Sequence, residues 1–305
     1  MKNYIYLNYG INIDKVYDMG DNFFLDDGSD FFYFVKVDKT EEELVEKNYL
    51  VSRYWYKWQP MLIIYNKSKK IISLYNEVNY CLVMVKGLLN ETVTFKELQE
   101  CCLLSINERS NVLKWSERWQ KRIDYIKVQL NELGSYGDLG CESADYYIGM
   151  AESGIAFLNN AQINYQNCKI NLNHYRLSWP IIRNDFYNPI NVIIDYRVRD
   201  IAEYIKKCFW DGEKYNYLNV KKILIEFKLN YDEIKLLYGR LLYNADYLDI
   251  IEDNLINKKK ANQNIEKYLV GHEKYEQFLK DFYYDITTMY GNDLPKIDWL
   301  LITKS

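Results

Sequence analysis

The hydrophobic pattern of this chain changes its period once, near residue 90, and that change limits the folds the chain can adopt. Before it, short runs of aromatic and β-branched residues are separated by turn residues, as in antiparallel strands. From Thr94 onward, apolar residues recur three to four positions apart, which is typical of amphipathic helices. The sequence therefore predicts an α+β protein with a small N-terminal sheet and a mostly helical remainder.

The N-terminal part contains a hairpin followed by a helix start. The turn around Asp27-Gly28 lies between two aromatic runs, and Asp-Gly supplies the positive φ that a tight hairpin turn needs. The run Thr40-Glu41-Glu42-Glu43 has the spacing of a capping box, so a helix is predicted to begin at Glu41. Further strands are predicted at 61–65, 71–75 and 80–85, and Gly87 is predicted to end the sheet.

Several helices follow in the second part of the chain. Apolar spacing predicts them at 95–104, 110–133, 143–160, 220–228, 231–248, 247–257 and 264–284. Gly149 and Gly154 lie inside the third of these, and we expect both to mark a close approach to a neighbouring element.

Composition excludes several classes of protein. A chain of 305 residues with 49% hydrophobic and 27% charged residues can bury one large core or two modest ones. A net charge of −4 lacks the basic excess that binding to a phosphate backbone requires, so we expect no nucleic-acid partner. No apolar run approaches the ~18 residues of a spanning helix, and the N-terminus has no apolar signal segment. An intracellular protein without a transmembrane segment is expected.

Metal and hydrolase chemistry also have little support. The chain has six cysteines without C-x-x-C spacing, which predicts buried thiols. His174 and His272 are its only histidines, which excludes a metal site built on several imidazoles. The sequence contains neither a G-x-S-x-G elbow nor a G-x-x-x-x-G-K-[ST] phosphate loop.

The segment 171–207 concentrates the polar residues that could carry chemistry. Its pattern predicts a short strand ending near His174, a loop, a second strand ending near Asp195, and then a helix with Asp200 as its N-cap. Polar residues that follow strands are candidates for function, because the elements behind them hold them in position.

This segment resembles the catalytic segment of small-molecule kinases of the aminoglycoside phosphotransferase type. In that family His-Gly-Asp precedes an Asn, a metal-binding Asp and an Asp-Leu-Ala helix start. The resemblance implies that His174 holds the loop, that Arg176 occupies the position of the catalytic Asp, and that Asp195 matches the metal-binding Asp. Ile181 then falls where the Asn ligand belongs. In a second register with a longer loop, Asn191 is that ligand.

The N-terminal part is similar to a kinase N-lobe in the order of its elements. In this resemblance Lys36 matches the lysine that pairs with nucleotide phosphates, and Glu43 or Glu46 is its partner on the following helix. The implied fold is the bilobal protein-kinase-like fold, with an N-lobe at 1–87, a hinge near 86–88 and a helical C-lobe at 88–305. ATP and Mg²⁺ are the cofactors that such a fold implies, and the sequence makes neither certain.

The chain most resembles the spore coat CotS/YutH group of kinase-like proteins from spore-forming Firmicutes. The stretches that carry this resemblance lie at 147–153, 173–176, 188–205 and 238–252, among them Tyr-Ile-Gly-Met-Ala-Glu-Ser and Asn-His-Tyr-Arg. The group implies a role in sporulation, other spore coat or envelope proteins as partners, and a cytoplasmic protein that is assembled into the spore coat.

The chemistry of the catalytic segment decides between function classes. An arginine can be neither a base nor a Mg²⁺ ligand, so Arg176 and Ile181 remove two groups that phosphoryl transfer needs. The leading hypothesis is therefore a pseudokinase scaffold that lacks phosphotransfer activity. One alternative is an active small-molecule or protein kinase that uses Asp185 or Asp195 from a rearranged loop. Another is a nucleotide-sensing module in which Lys36 and Arg176 hold phosphates without transferring them.

Overall fold

The structure, a computed structural model, forms two compact units. It describes residues 1–85, 91–104, 106, 112–132, 140–211, 220–257, 263–291 and 293–301. Unit 1 comprises residues 1–106 and 171–194, and unit 2 comprises residues 107–170 and 195–305. Each unit is formed from two separate stretches of the chain.

The division differs from the boundary that the sequence suggested near residue 87. Residues 171–194 cluster with the N-terminal sheet, whereas the sequence predicts the whole segment 171–207 to be part of the helical region. The physical reason is aromatic packing, because Trp55 stacks on both His174 and Phe186. The expected hinge at 86–88 lies outside the described residues.

Unit 1 contains an antiparallel sheet of six strands. They are β1 (Lys15–Asp18), β2 (Phe23–Asp26), β3 (Phe31–Lys36), β4 (Leu62–Ile64), β5 (Ile72–Tyr75) and β6 (Val78–Val85). The strand order is β1-β2-β3-β6-β4, and β5 also pairs with β6. The predicted hairpin is confirmed: Asp26 pairs with Phe31, and Gly28 in the turn has φ +89°.

Two helices cover the sheet on opposite faces. Helix α1 (Lys2–Tyr9) contributes Ile5 to a core that contains Phe32 and Phe34 of β3. Helix α2 (Glu41–Tyr54) contributes Leu44 to a second core on the other face. The predicted start at Glu41 is confirmed, since Thr40 Oγ1 accepts a hydrogen bond from the Glu43 amide at 3.2 Å.

Unit 1 also contains the helices α3 (Phe95–Leu103) and α6 (Arg183–Phe186). Strands β7 (Ile170–His174) and β8 (Val192–Tyr196) pair with each other; their residues 171–174 and 192–194 belong to unit 1, whereas Ile170, Asp195 and Tyr196 belong to unit 2. The Tyr175 amide donates to the Asn191 carbonyl at 3.1 Å, which closes the loop between the two strands. The predicted strand–loop–strand pattern is therefore present.

Unit 2 is helical. Its elements are α4 (Trp115–Glu132), α5 (Gly140–Asn160), α7 (Val198–Trp210), α8 (Val220–Glu226), α9 (Tyr231–Leu242), α10 (Ala245–Asn257), α11 (Gln263–Tyr290) and α12 (Asp298–Leu301). A Cβ at Gly154 on α5 would lie 3.1 Å from the Gly239 carbonyl oxygen of α9, so the predicted close approach is confirmed there. At Gly149 the same prediction is wrong, because a Cβ there would meet nothing within 4 Å.

Among the described residues, none of the helices combines the length and the apolar composition needed to cross a bilayer.

Candidate functional site

A cavity of about 360 Å³ opens in unit 1 at the loop between β7 and β8. Its lining residues are His174, Tyr175, Arg176, Leu177, Ser178, Ile181, Asp185, Phe186 and Asn191. His174, Arg176 and Asn191 line the same cavity. Asp185, which the sequence offers as an alternative base, lies in the same lining.

His174 is fixed within the core at the inner end of this cavity. Only 1% of the residue is exposed, and its Nε2 lies 2.6 Å from the carbonyl oxygen of Phe186. The imidazole centroid is 5.5 Å from the Trp55 ring and 4.2 Å from the Phe186 ring. These contacts tie the end of β7 to α6 and to the C-cap of α2.

Arg176 lies at the outer part of the lining. Its Nη1 donates to the Tyr175 carbonyl at 2.7 Å, and its guanidinium carbon lies 4.6 Å from the centroid of the Tyr175 ring. Tyr175 itself is 61% exposed. The guanidinium of Arg176, to which the kinase resemblance assigns the position of a catalytic carboxylate, is therefore stacked on its own sequence neighbour.

Asp185 contributes the carboxylate of the lining. It lies in the first turn of α6, and its backbone carbonyl accepts a hydrogen bond from Asn191 Nδ2 at 3.3 Å. Asp185 is exposed, and desolvation by the protein atoms beside it raises the pKa of its carboxyl above the ordinary value. Burial is also the main reason that the pKa of Tyr33 on β3 is raised, and the negative charge of Asp185 adds to it.

Asp195, the expected metal ligand, is fully buried in unit 2. Its Oδ1 accepts hydrogen bonds from Trp115 Nε1 at 2.9 Å and from the Tyr196 amide at 2.8 Å. Its Oδ2 accepts from Arg199 Nη1 at 2.8 Å and from Arg118 Nη2 at 3.3 Å. Both carboxylate oxygens are thus engaged by donors of the protein itself.

This arrangement suits a structural anchor better than a Mg²⁺ ligand. A buried carboxylate is tolerated when cations and hydrogen-bond donors compensate its charge, and two guanidinium groups do so here. Mg²⁺ would need the same oxygens that these donors occupy. Among the described residues, no group of three or more His, Cys, Asp or Glu side chains is arranged to hold a metal ion.

Lys36, the expected phosphate-binding lysine, is the last residue of β3. Side chains alternate along a strand, so Lys36 shares a face with Phe32 and Phe34, which pack in the core that includes α1. Its Nζ lies 3.1 Å from Asp21 Oδ2, and both side chains are exposed. Lys36 therefore projects from the face opposite α2 and forms an ion pair with Asp21.

The expected helix partners of Lys36 make other contacts. Glu43 Oε1 accepts from Lys47 Nζ at 2.6 Å, one turn further along α2, while Glu46 is exposed. Burial lowers the pKa of Lys47, whose side chain is only 8% exposed. Lys47 is not among the residues that the sequence singled out. Its position three residues after Leu44 and four before Val51 places it on the buried stripe of the helix, and this spacing is visible in the sequence.

The start of helix α7 also differs from the expectation. We predicted Asp200 as the N-cap, but the helix begins at Val198 and Arg197 is the N-cap. Asp200 lies in the first turn and is buried. The prediction was wrong because Arg197 is held elsewhere: its guanidinium forms two 2.6 Å hydrogen bonds to the buried carboxylate of Glu233.

A match to a known protein family shows which family this chain belongs to. The family described as "Spore coat putative kinase YutH" matches residues 2–282. The chain belongs to this family. A relative at 26% identity over 214 residues is the endospore coat-associated protein YutH of Bacillus subtilis (strain 168). The match covers 61% of this chain and 61% of that relative, so it spans less than two thirds of the relative's length.

Solved structures confirm the fold expected for this YutH-family chain. An aminoglycoside phosphotransferase from Alicyclobacillus acidocaldarius superposes with a TM-score of 0.59 at 10% identity, covering 92% of this chain and 94% of that one. The AMP-bound spectinomycin phosphotransferase APH(9)-Ia gives a TM-score of 0.55 at 11% identity, covering 100% and 98%. At these identities the likeness shows the kinase-like α+β fold alone.

Proposed function

We propose that this YutH-family protein, a kinase-like spore coat protein, is a pseudokinase that acts as a scaffold and does not transfer phosphate. The proposal rests on the hydrogen-bond partners of the Asp195 carboxylate. Its two oxygens accept hydrogen bonds from an indole, a backbone amide and two guanidinium groups. Phosphoryl transfer depends on metal ions that neutralise charge on the phosphates, and this carboxylate is committed to other partners.

Two other positions support the same proposal. Lys36 pairs with Asp21 on the sheet face opposite α2, so it lacks the carboxylate partner on α2 that the kinase resemblance assigns to it. Arg176 cannot accept a proton from an acceptor hydroxyl. The residues present therefore do not fit a Mg-ATP site of the kinase type.

The scaffold role concerns protein partners and location. The family name and the B. subtilis relative associate such chains with the spore coat. We infer that this protein is made in the cytoplasm and assembles with other coat or envelope proteins. A kinase fold without transfer chemistry still offers a rigid surface for such contacts.

The test is an assay of Mg²⁺-dependent ATP hydrolysis and phosphate transfer with the purified protein. We expect no turnover above the buffer rate, and no change in Lys36→Ala. Turnover that Lys36→Ala or Asp195→Asn abolishes would overturn the proposal. Turnover lost only in Asp185→Asn would instead support the alternative kinase, in which the carboxylate lining the cavity of unit 1 serves as base.

A further inference from the structure

The antiparallel sheet of unit 1 has two sides at which a further strand could pair, and side chains cover one of them. Strands β4 and β5 form that side, where both pair with β6. The Asn48 side chain accepts a hydrogen bond from the Ile63 amide on β4 at 2.8 Å and donates to the Ile63 carbonyl at 3.1 Å. On β5 the Leu74 carbonyl accepts from the Tyr4 hydroxyl at 2.7 Å. These side chains occupy backbone groups that a further strand would need, and such cover protects a sheet edge.

Strand β1 forms the other side of the sheet, where backbone groups face outward. The Met19 amide donates to the Asn22 carbonyl at 2.9 Å, so the odd-numbered residues of β1 direct their backbone groups to β2. The amides and carbonyls of Val16 and Asp18 therefore point away from the sheet. Within the described part of the chain, these groups have no hydrogen-bond partner. A row of such backbone groups is a template for an additional strand.

The side chains at the two ends of this edge are acidic. Asp14 immediately precedes β1 and Asp18 ends it, and both are exposed. Neither carboxylate has an ion-pair partner among the described residues, whereas Lys15 lies 3.9 Å from Asp26. A partner strand with basic residues near both of its ends therefore complements the charge of this edge.

The other exposed side chains of the edge suit a protein partner. Tyr17 is 47% exposed and Met19 is 58% exposed. Both residue types are enriched in protein interfaces. The Tyr17 ring packs beside Phe24 of β2, with ring centroids 5.9 Å apart, so its position is set before a partner binds.

A second copy of this chain is a poorer partner for the same edge. Two antiparallel β1 strands related by a two-fold axis pair most fully when the axis lies at Val16 or at Tyr17. The first register places Asp14 opposite Asp18 of the second copy, and the second places the two Asp18 side chains diagonally across the strands. Like charges at such positions destabilise a strand pair. The charge of the edge therefore favours a basic partner over self-association.

We propose that the outer edge of β1 binds an extended basic segment of a partner protein as an additional antiparallel strand. The backbone groups of Val16 and Asp18 form hydrogen bonds with this segment, and Asp14 and Asp18 pair with basic side chains near its two ends. The antiparallel direction is assigned because every strand pair of this sheet is antiparallel. That the partner is a coat protein rests on the proposed function, whereas the strand site itself does not.

The experiment is an NMR titration of the full chain with three peptides. The first, acetyl-Lys-Thr-Val-Thr-Lys-amide, places its lysines near Asp18 and Asp14 when its valine lies opposite Val16. The second has glutamate in place of both lysines. The third has proline in place of valine, which keeps the charge and removes a backbone donor that the added strand needs. We expect saturable shifts of the Val16 and Asp18 amides with the first peptide, and at least about fivefold weaker binding of the other two.

Each comparison has an outcome that contradicts the proposal. Absence of binding of the lysine peptide, or binding that leaves the Val16 and Asp18 amides unshifted, refutes the site. Equal binding of the glutamate peptide refutes the basic partner, and equal binding of the proline peptide shows charge attraction without strand pairing. A dimer in sedimentation experiments, with the Val16 amide protected from hydrogen exchange, would assign the edge to a second copy instead.

Two protein variants test the same edge. Asp18→Asn should weaken binding of the lysine peptide at least about threefold, because it removes a carboxylate while it keeps the oxygen that accepts from the Gly20 amide. Glu46→Gln, an exposed position on α2, is the matched control and should leave binding unchanged. Val16→Pro should abolish binding, since it removes an amide that points away from the sheet, and circular dichroism verifies its fold.

Unchanged binding in Asp18→Asn, or in a folded Val16→Pro variant, refutes the site. If Val16→Pro does not fold, Asp18→Asn decides alone.

This proposal and the pseudokinase can fail separately. ATP turnover would refute the pseudokinase without affecting strand binding at β1. Absence of peptide binding would refute the strand site without changing the hydrogen-bond partners of Asp195.

Discussion

The substitution of Asp195 by alanine should unfold or severely destabilise unit 2, because the side chain is a buried anchor. It removes a fully buried carboxylate that accepts bonds from Trp115 Nε1 at 2.9 Å and from Arg199 Nη1 at 2.8 Å, among others. The change removes the carboxylate that pairs with the guanidinium of Arg199, a residue that is 6% exposed. The loss of stability therefore includes both the broken hydrogen bonds and the loss of a charge that stabilises a buried guanidinium.

The expected loss of stability follows from measurements on buried ion pairs in other proteins. Removing one partner of a buried ion pair costs about 3–5 kcal/mol. For a unit of this size each kcal/mol corresponds to a shift of roughly 2–4 °C in Tm, so Asp195→Ala should lower Tm by about 6–20 °C. Asp195→Asn keeps an acceptor for Trp115 and should cost less, about 1–3 kcal/mol.

The assay is denaturant unfolding followed by circular dichroism and tryptophan fluorescence, with Asp185→Ala as the matched control. Asp185 has no ion-pair partner in the described part of the chain, so its removal should change the free energy of unfolding by less than about 1 kcal/mol. A structural role for Asp195 is excluded if Asp195→Ala is as stable as the wild type while it loses Mg²⁺-dependent binding of ATP. That result would identify Asp195 as a metal ligand.

Three other predictions follow from burial and geometry. Gly154→Ala should destabilise by about 1–3 kcal/mol, because its Cβ would meet the Gly239 carbonyl at 3.1 Å, while Gly149→Ala should stabilise by about 0.5–1 kcal/mol; thermal unfolding of both checks the opposite signs. Asp185→Asn should raise stability at pH 7 by less than about 1 kcal/mol and should have no such effect below about pH 4, measured by urea unfolding at both pH values. The pKa of Asp185 is higher in the folded protein than in the unfolded chain, so ionisation of this carboxyl destabilises the folded protein. The contribution of the protonated carboxyl to stability is present below the unfolded pKa and is lost as pH rises through the folded pKa. A Glu233→Ala variant should cost about 3–5 kcal/mol, since it removes the carboxylate that pairs with the buried guanidinium of Arg197, and an unchanged urea midpoint would contradict this.

Local sequence signals were sufficient for much of the fold. The Asp-Gly turn and the Thr40 cap depend on residues within four positions of each other, and both were predicted correctly. The change from strand to helix periodicity near residue 90 also depends on short-range spacing. These features need no information about distant partners, which is why the sequence is enough for them.

The site residues depended on information that the sequence does not contain. Whether Lys36 faces α2 is set by strand parity, and one residue of shift reverses it. The partners of Asp195 on α4 lie about eighty positions away in the chain, at Trp115 and Arg118. Arg197 took the N-cap position of α7 because its partner Glu233 is brought to it by the fold. No pattern of neighbouring residues predicts these contacts between residues that are far apart in the sequence.

Calorimetric titration of the wild-type protein with ATP, in the presence and absence of Mg²⁺, tests whether Asp195 can take part in binding a metal ion with the nucleotide. We expect that Mg²⁺ does not strengthen the binding of ATP, because the oxygens of Asp195 already accept bonds from Trp115, Arg118 and Arg199. An ATP affinity that rises at least tenfold with Mg²⁺, and that Asp195→Asn returns to the metal-free value, would contradict it.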